Sequence, residues 1–148
     1  LLRLNGPLGT FFLRECKNTD IFFLATGTGI APVKAMLESL MHVPEDLQPQ
    51  SITVLWGGRK PADFYIDLAA IPGKHRYIPV ISRPNEHWTG TVGYVQEILL
   101  STAPDLSKAA VYACGSNNMI HSAKQVLSNA GLPLARFYSD AFVNSGNI

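Results

Sequence analysis

Apolar residues fall along this chain in two alternating rhythms. Short continuous runs bounded by glycine or proline mark strands covered on both faces, and stretches with apolar residues at i, i+3 and i+4 mark amphipathic helices. The first run, Asp20-Ile21-Phe22-Phe23-Leu24, predicts a strand over Asp20–Thr26. Val33, Met36, Leu37 and Leu40 then recur at helical spacing and predict a helix over residues 30–41. Pro32 is tolerable there, because the first turn of a helix has no intrahelical use for its N–H groups.

The same alternation continues. A surface loop through Pro44, Glu45, Asp46 and Pro49 leads to a second strand over residues 51–56, stopped by Gly57-Gly58, and to a short helix over 62–70. The third strand, 76–82, carries Pro79, which predicts an edge position or a bulge. A polar stretch, 83–90, reads as a functional loop. A helix through Val95, Ile98 and Leu99 follows, then a fourth strand over 109–114, a helix over 119–129 ending at Gly131, and a last strand over 134–138. Strand, helix, strand with short connections predicts an α/β fold, three layers α/β/α, with a five-stranded, mostly parallel sheet. The opening residues 6–13 begin with turn residues and end in a strand-like apolar run that stands apart from this alternation.

Composition narrows the reading without changing it. A chain of 148 residues with 47% hydrophobic content has the size and the core of one ordinary domain. A formal net charge of +1, with no run of lysine or arginine, gives no footprint for nucleic acid or an anionic membrane. No apolar stretch approaches the roughly 18 residues of a membrane span, and Leu1-Leu2-Arg3-Leu4-Asn5 lacks the layout of a signal peptide, so a cytoplasmic location is expected. Two distant cysteines, Cys16 and Cys114, suggest no disulfide framework, and no Cys/His cluster has metal-ligand spacing.

Candidate chemistry follows from the strand ends. In an open parallel sheet a ligand sits beyond the carboxyl ends of the strands. The residues there are Thr26 to Gly29, Gly57 to Lys60, Ser82 with Arg83, and Cys114 to Asn118, all small, polar or basic apart from the cysteine. A strand feeding a helix through Gly27-Thr28-Gly29 aims free N–H groups and the positive end of a helix dipole at one place, which suits a pyrophosphate. The turn departs from the Rossmann fingerprint, because Pro32 stands where a third glycine belongs and Trp56-Gly57-Gly58-Arg59 offers no acidic residue for a ribose diol. No Lys-Ser or Lys-Thr follows the glycines, which disfavours a P-loop ATPase.

Five segments in order, Gly6-Pro7-Leu8-Gly9-Thr10-Phe11, Thr26 to Pro32, Trp56-Gly57-Gly58-Arg59, Ser82-Arg83-Pro84 with Trp88-Thr89-Gly90, and Tyr112 to Ile120, resemble ferredoxin-NADP reductase-like flavoenzymes. The match spans nearly the whole chain and, within the family, is to NADH-using reductases that feed an iron–sulfur centre, those of CDP-deoxysugar (ascarylose-type) biosynthesis above all. The resemblance implies that residues 1–14 are the tail of a preceding flavin-binding barrel and 15–148 an NAD(P)-binding domain. It places the pyrophosphate on Gly27, Gly29 and Pro32, with Thr26 and Thr28 towards the nicotinamide. Ser82 and Arg83 would line the adenosine ribose, and Arg59 would approach a phosphate or the adenine. Gly115, Ser116 and Asn117 would complete the cofactor contacts. Cys114, as a polarisable packing group, and Phe142, as an aromatic cover on the flavin, would stand at the catalytic junction, with Asp140 two positions before Phe142.

Each role has a plainer rival. Cys114 ends a buried strand, Arg59 and Lys60 have the look of solvated charges, Trp88 could pack its loop onto the domain, and Phe142 could be a strand-end hydrophobe. His75, His87 and His121 have no visible acid–base partner and receive no catalytic role.

The resemblance further implies FAD and a 2Fe–2S centre, whose barrel motif and cysteine-rich segment do not appear in this sequence. The chain would then act with its own flavin and ferredoxin domains, and with a deoxysugar dehydratase, and show little turnover alone. Arg83 favours NADPH, but Pro84 and the Trp88-Thr89-Gly90 loop resemble NADH-using members, so NADH is preferred. An aromatic-ring oxygenase reductase and a non-catalytic NAD-sensing regulatory domain remain as alternatives.

Overall fold

The computed structural model describes residues 9–103 and 105–142. Six strands form one sheet in the order β4-β3-β2-β1-β5-β6: β1 Asp20–Thr26, β2 Ser51–Gly58, β3 Arg76–Ile81, β4 Thr91–Val92, β5 Ala109–Gly115 and β6 Phe137–Ala141. Every pairing is parallel. Helix α1 (Ile30–Leu40) covers one face, and α2 (Val95–Thr102) and α3 (Asn117–Asn129) cover the other.

The apolar runs explain this sandwich. Along β1 every residue from Ile21 to Ala25 is buried, yet alternate side chains serve opposite layers. Ile21, Phe23 and Ala25 join Trp56, Tyr112 and the inner face of α1, whereas Phe22 and Leu24 join Val80, Val111 and the inner faces of α2 and α3. A strand covered on both faces has no polar alternation to show, and central parallel strands read this way.

The chain runs outward from β1 through β2 and β3 to β4, then returns by α2 to β5 on the other side of β1. The order therefore reverses between β1 and β5, whose carboxyl ends flank the crevice where open α/β sheets take their ligands.

Several expectations are corrected. The sheet has six strands, because the two-residue β4 pairs with Val80 and Ile81 inside the stretch after residue 90. β2 continues through Gly57 and Gly58, which pair with Val80 and Ile81 of β3. The helix over 62–70 does not form; two single 3₁₀ turns, Pro61–Asp63 and Leu68–Ala70, stand in its place, with Asp67 capping the second at 3.1 Å through the Ala69 N–H. Pro79 lies on no outermost strand, but the carbonyl of Ile81 accepts from Gly93 N–H on the β4 side, and alternation turns Pro79 to that same side. β4 begins opposite Val80, so the missing N–H of Pro79 leaves no ladder bond unmade. Residues 134–136 form a 3₁₀ turn and β6 begins only at Phe137.

The apolar opening segment makes no strand in its described part, residues 9–14. Phe11 and Leu13 instead pack on the α1 layer, and the Tyr112 hydroxyl accepts from the Arg14 N–H at 2.9 Å. No described helix is long and apolar enough to cross a membrane.

Candidate dinucleotide cleft

The ends of β1 and β5 are fastened together by two glycines and a threonine. Gly115 has φ +151°, and a Cβ on it would stand 2.1 Å from Thr26 Oγ1. That hydroxyl accepts from the Ser116 N–H at 3.1 Å. A Cβ on Gly29 would meet the Cys114 carbonyl oxygen at 2.1 Å, so the turn after β1 lies against the β5 backbone. Gly27 differs: its φ is +54° and nothing lies within 4 Å of where its Cβ would be. One glycine of the turn thus serves packing, and the other leaves a backbone open to a ligand.

Gly27 borders a cleft of about 950 Å³ across the carboxyl ends of the strands, within the size range of small-molecule sites. Its floor is glycine backbone at Gly57 and Gly58. A Cβ on Gly57 would press on Thr26 Cγ2 and Val95 Cγ1, both at 3.2 Å. Beyond β2, Asp63 Oδ2 accepts from the Arg59 N–H at 2.7 Å and the Lys60 N–H at 3.1 Å, and these bonds hold its carboxyl below the ordinary aspartate range. Trp56, buried, meets Phe64 and Tyr65 edge-on, both at 5.2 Å between ring centroids. That contact fixes Tyr65 on one wall, and Tyr94, ahead of α2, stands on another; each is 59% exposed.

The opposite wall is polar. Ser116 caps α3 by accepting from the Met119 N–H at 3.3 Å. Gln96, in the first turn of α2, is only 5% exposed and is the one polar residue counted as buried among those described. Its Nε2 donates to Ser122 Oγ at 2.9 Å, and its Oε1 has no partner. A buried amide oxygen without a donor is destabilising. Gln96 and Ser122 both line the cleft.

The cleft brings together Thr26, Gly27, Thr28, Arg59, Ser82, Ser116 and Phe142 from the expected set. Gly29, Pro32, Arg83, Cys114, Gly115 and Asn117 are not among its lining residues. Arg83 is exposed and gives its backbone N–H to the Arg59 carbonyl at 3.1 Å. Asn117 borders a smaller hollow with His121 and Gln125. Trp88 donates from Nε1 to the Thr91 carbonyl at 3.2 Å and covers Gly90, so it packs its own loop. Tyr65, Tyr94, Gln96, Glu97 and Ser122 were not anticipated; the one signal for the α2 group was the apolar register beginning at Val95, directly after a polar stretch.

Cys114 is fully buried, and burial, followed by the nearby Asp140 charge, pushes its thiol up to about 12. Cys16 is also buried and its thiol is raised by the same desolvation. Thiolates are the reactive form, so native chain at pH 8 is expected to react with a disulfide reagent at less than about a tenth of the rate of urea-unfolded chain. Immediate reaction of both thiols in the native chain would contradict this burial. Among the described residues no group of three or more His, Cys, Asp or Glu could hold a metal ion.

A model of the oxidoreductase NAD-binding domain matches residues 23–125. The chain belongs to that family. This NAD-binding domain is 47% identical over 150 residues to the CDP-6-deoxy-L-threo-D-glycero-4-hexulose-3-dehydrase reductase of Yersinia pestis, covering 98% of this chain and 44% of that protein. It is 30% identical to the anthranilate 1,2-dioxygenase electron transfer component of Acinetobacter baylyi, covering 97% and 42%. Among solved structures, the ferredoxin reductase in carbazole 1,9a-dioxygenase superposes with a TM-score of 0.78 at 20% identity, covering 93% of this chain and 42% of that one. The NAD-binding domain thus spans less than half the length of these relatives.

Proposed function

We propose that this chain is the NADH-binding module of a flavin-dependent oxidoreductase, and that it delivers electrons towards a 2Fe–2S centre in CDP-deoxysugar biosynthesis. The observation that carries the reading is the convergence of the open Gly27 backbone, the Ser116 cap and the unpartnered Gln96 amide on one cleft at the β1/β5 switch point. The pathway rests on the 47% identity to the Yersinia reductase, and the 30% identity to the Acinetobacter component supports an aromatic-ring oxygenase reductase as the second reading.

The residues present fit a dinucleotide. Gly27 leaves its backbone open for the pyrophosphate without a side chain in the way, and Thr28 lines the cleft beside it. Ser82, Arg59 and the two tyrosines suit the adenosine half, towards β2 and β3. The nicotinamide half then lies towards β5, where Phe142 reaches the cleft margin and donates its N–H to the Gly115 carbonyl at 3.0 Å. Cys114 belongs to the buried cluster against which Phe142 packs. The bound cofactors would supply hydride transfer from nicotinamide to flavin, and these residues would supply position and exclusion of water.

The residues present do not fit an iron–sulfur cluster: the two cysteines are both buried, Cys114 on β5 and Cys16 ahead of β1. The flavin and cluster would therefore come from protein beyond these residues, the flavin-binding part preceding residue 15. The test is dye reduction by NADH. The chain alone is expected to give background turnover, and the chain joined on its N-terminal side to a flavin-binding barrel is expected to turn over. Robust reduction by the chain alone would refute this division of labour.

A further inference from the structure

Three charged side chains line the cleft, Arg59, Asp63 and Glu97. Asp63 is committed to the Arg59 and Lys60 amides. Glu97 has no hydrogen-bond or ion-pair partner through its side chain among the described residues. Its Oε2 stands 3.9 Å from the place a Cβ would take on Gly93, and Gly93 is hydrogen-bonded at 3.0 Å to the carbonyl of Ile81, the residue before Ser82. The exposed carboxylate therefore stands beside the end of β3. β3 lies two strands from β1, roughly 10 Å at the usual strand spacing. Ser82, directly after β3, lines the same cleft.

We infer that Glu97 is the specificity-determining residue of this cleft: its carboxylate accepts from the adenosine ribose hydroxyls and repels a 2′-phosphate. The inference rests on the dinucleotide reading above. It replaces the acidic residue that the end of β2 lacks, where Trp56 is followed by Gly57, Gly58 and Arg59. Arg83, the residue whose charge favoured a 2′-phosphate in the sequence, is not among the lining residues. The cleft thus presents two carboxylates against one guanidinium, a poor place for a further dianion. A plainer role for Glu97 is to complement the positive end of α2 from its first turn, which would affect stability and leave nucleotide choice unchanged.

The test is calorimetric titration of the chain and of its Glu97→Gln and Glu97→Lys variants with NADH and with NADPH. The unaltered chain is expected to bind NADH more tightly. The ratio of the two dissociation constants is expected to narrow at least about threefold in Glu97→Gln and about tenfold or more in Glu97→Lys, mainly through tighter NADPH binding. Ratios within about twofold of the unaltered chain in both variants, with unchanged circular dichroism, would overturn the role of Glu97 and leave the cleft reading standing. Absence of binding by either dinucleotide to the unaltered chain would overturn both. Glu97→Gln keeps the size of the side chain, so the test survives if Glu97→Lys fails to fold.

Discussion

Gly29→Ala is expected to destabilise the domain by about 3 kcal/mol, the upper part of the range for inserting one carbon into a packed interior. The added carbon would lie 2.1 Å from the Cys114 carbonyl oxygen, 2.5 Å from its carbonyl carbon and 3.0 Å from the Gly115 nitrogen. All three belong to the backbone of β5, whose residues are buried throughout, so no side chain can swing aside. Relief requires the turn after β1 to lift off the sheet, which would also pull Thr26 Oγ1 from the Ser116 N–H. Gly29 has φ −58°, so the effect is wholly steric, without a backbone-conformation component. Urea unfolding checks it, and a midpoint equal to that of the unaltered chain would show that the β1 turn and β5 are not in close contact.

Gly27→Val is expected to weaken NADH binding more than tenfold while destabilising the fold by only about 1–2 kcal/mol, the strain of a branched residue at positive φ. Nothing within 4 Å obstructs a Cβ there, so the fold has room for the side chain. The room is the cleft itself, and the added methyl groups would stand where the phosphate oxygens approach the backbone. The two glycines of one turn are thereby separated: Gly29 answers in stability and Gly27 in affinity. Calorimetric titration of folded Gly27→Val is the check. Unchanged affinity would mean that the pyrophosphate does not rest on this turn.

The strands that were legible in the sequence are those with an uninterrupted apolar run between breakers. β1 is bounded as expected, and β5 exceeds its expected span only by Gly115, because both are buried on two faces and their sequences have no other use. Helix α1 was legible from its spacing, and it ends at Leu40, one residue before the expected end. What escaped was local structure whose apolar residues serve distant partners. Phe64 and Tyr65 are spaced for contact with Trp56 rather than for a helix face. Leu134 supplied an apolar start for the last strand, but it is 60% exposed, and pairing begins with Phe137 opposite Val111.

The site shows the same division. Strand ends could be ranked from sequence, so Thr26, Ser82 and Ser116 were expected near one another, and they line one cleft. Gln96 and Glu97 could not be expected in that way, because they reach the cleft from a helix that follows β4, a strand two residues long with no periodicity to read. The two glycines of the turn looked alike as letters, and only the distance to Cys114 assigns one of them to packing. Arg83 was expected at the adenosine ribose with Ser82; it is exposed and is not among the cleft's lining residues, a matter of direction that the sequence does not carry.

The most direct test of the central claim is a titration of isotopically labelled chain with NADH, followed by its amide resonances. Binding is expected with a dissociation constant between about 1 μM and 1 mM, the usual span for enzyme substrates. The backbone amides of Gly27, Thr28, Gly58 and Ser116 and the side-chain amide of Gln96 are expected to shift together, while those of the Leu134–Arg136 turn stay in place. Shifts confined to the hollow around His121 and Gln125, or no shifts at saturating NADH, would contradict the assignment of this cleft to the dinucleotide.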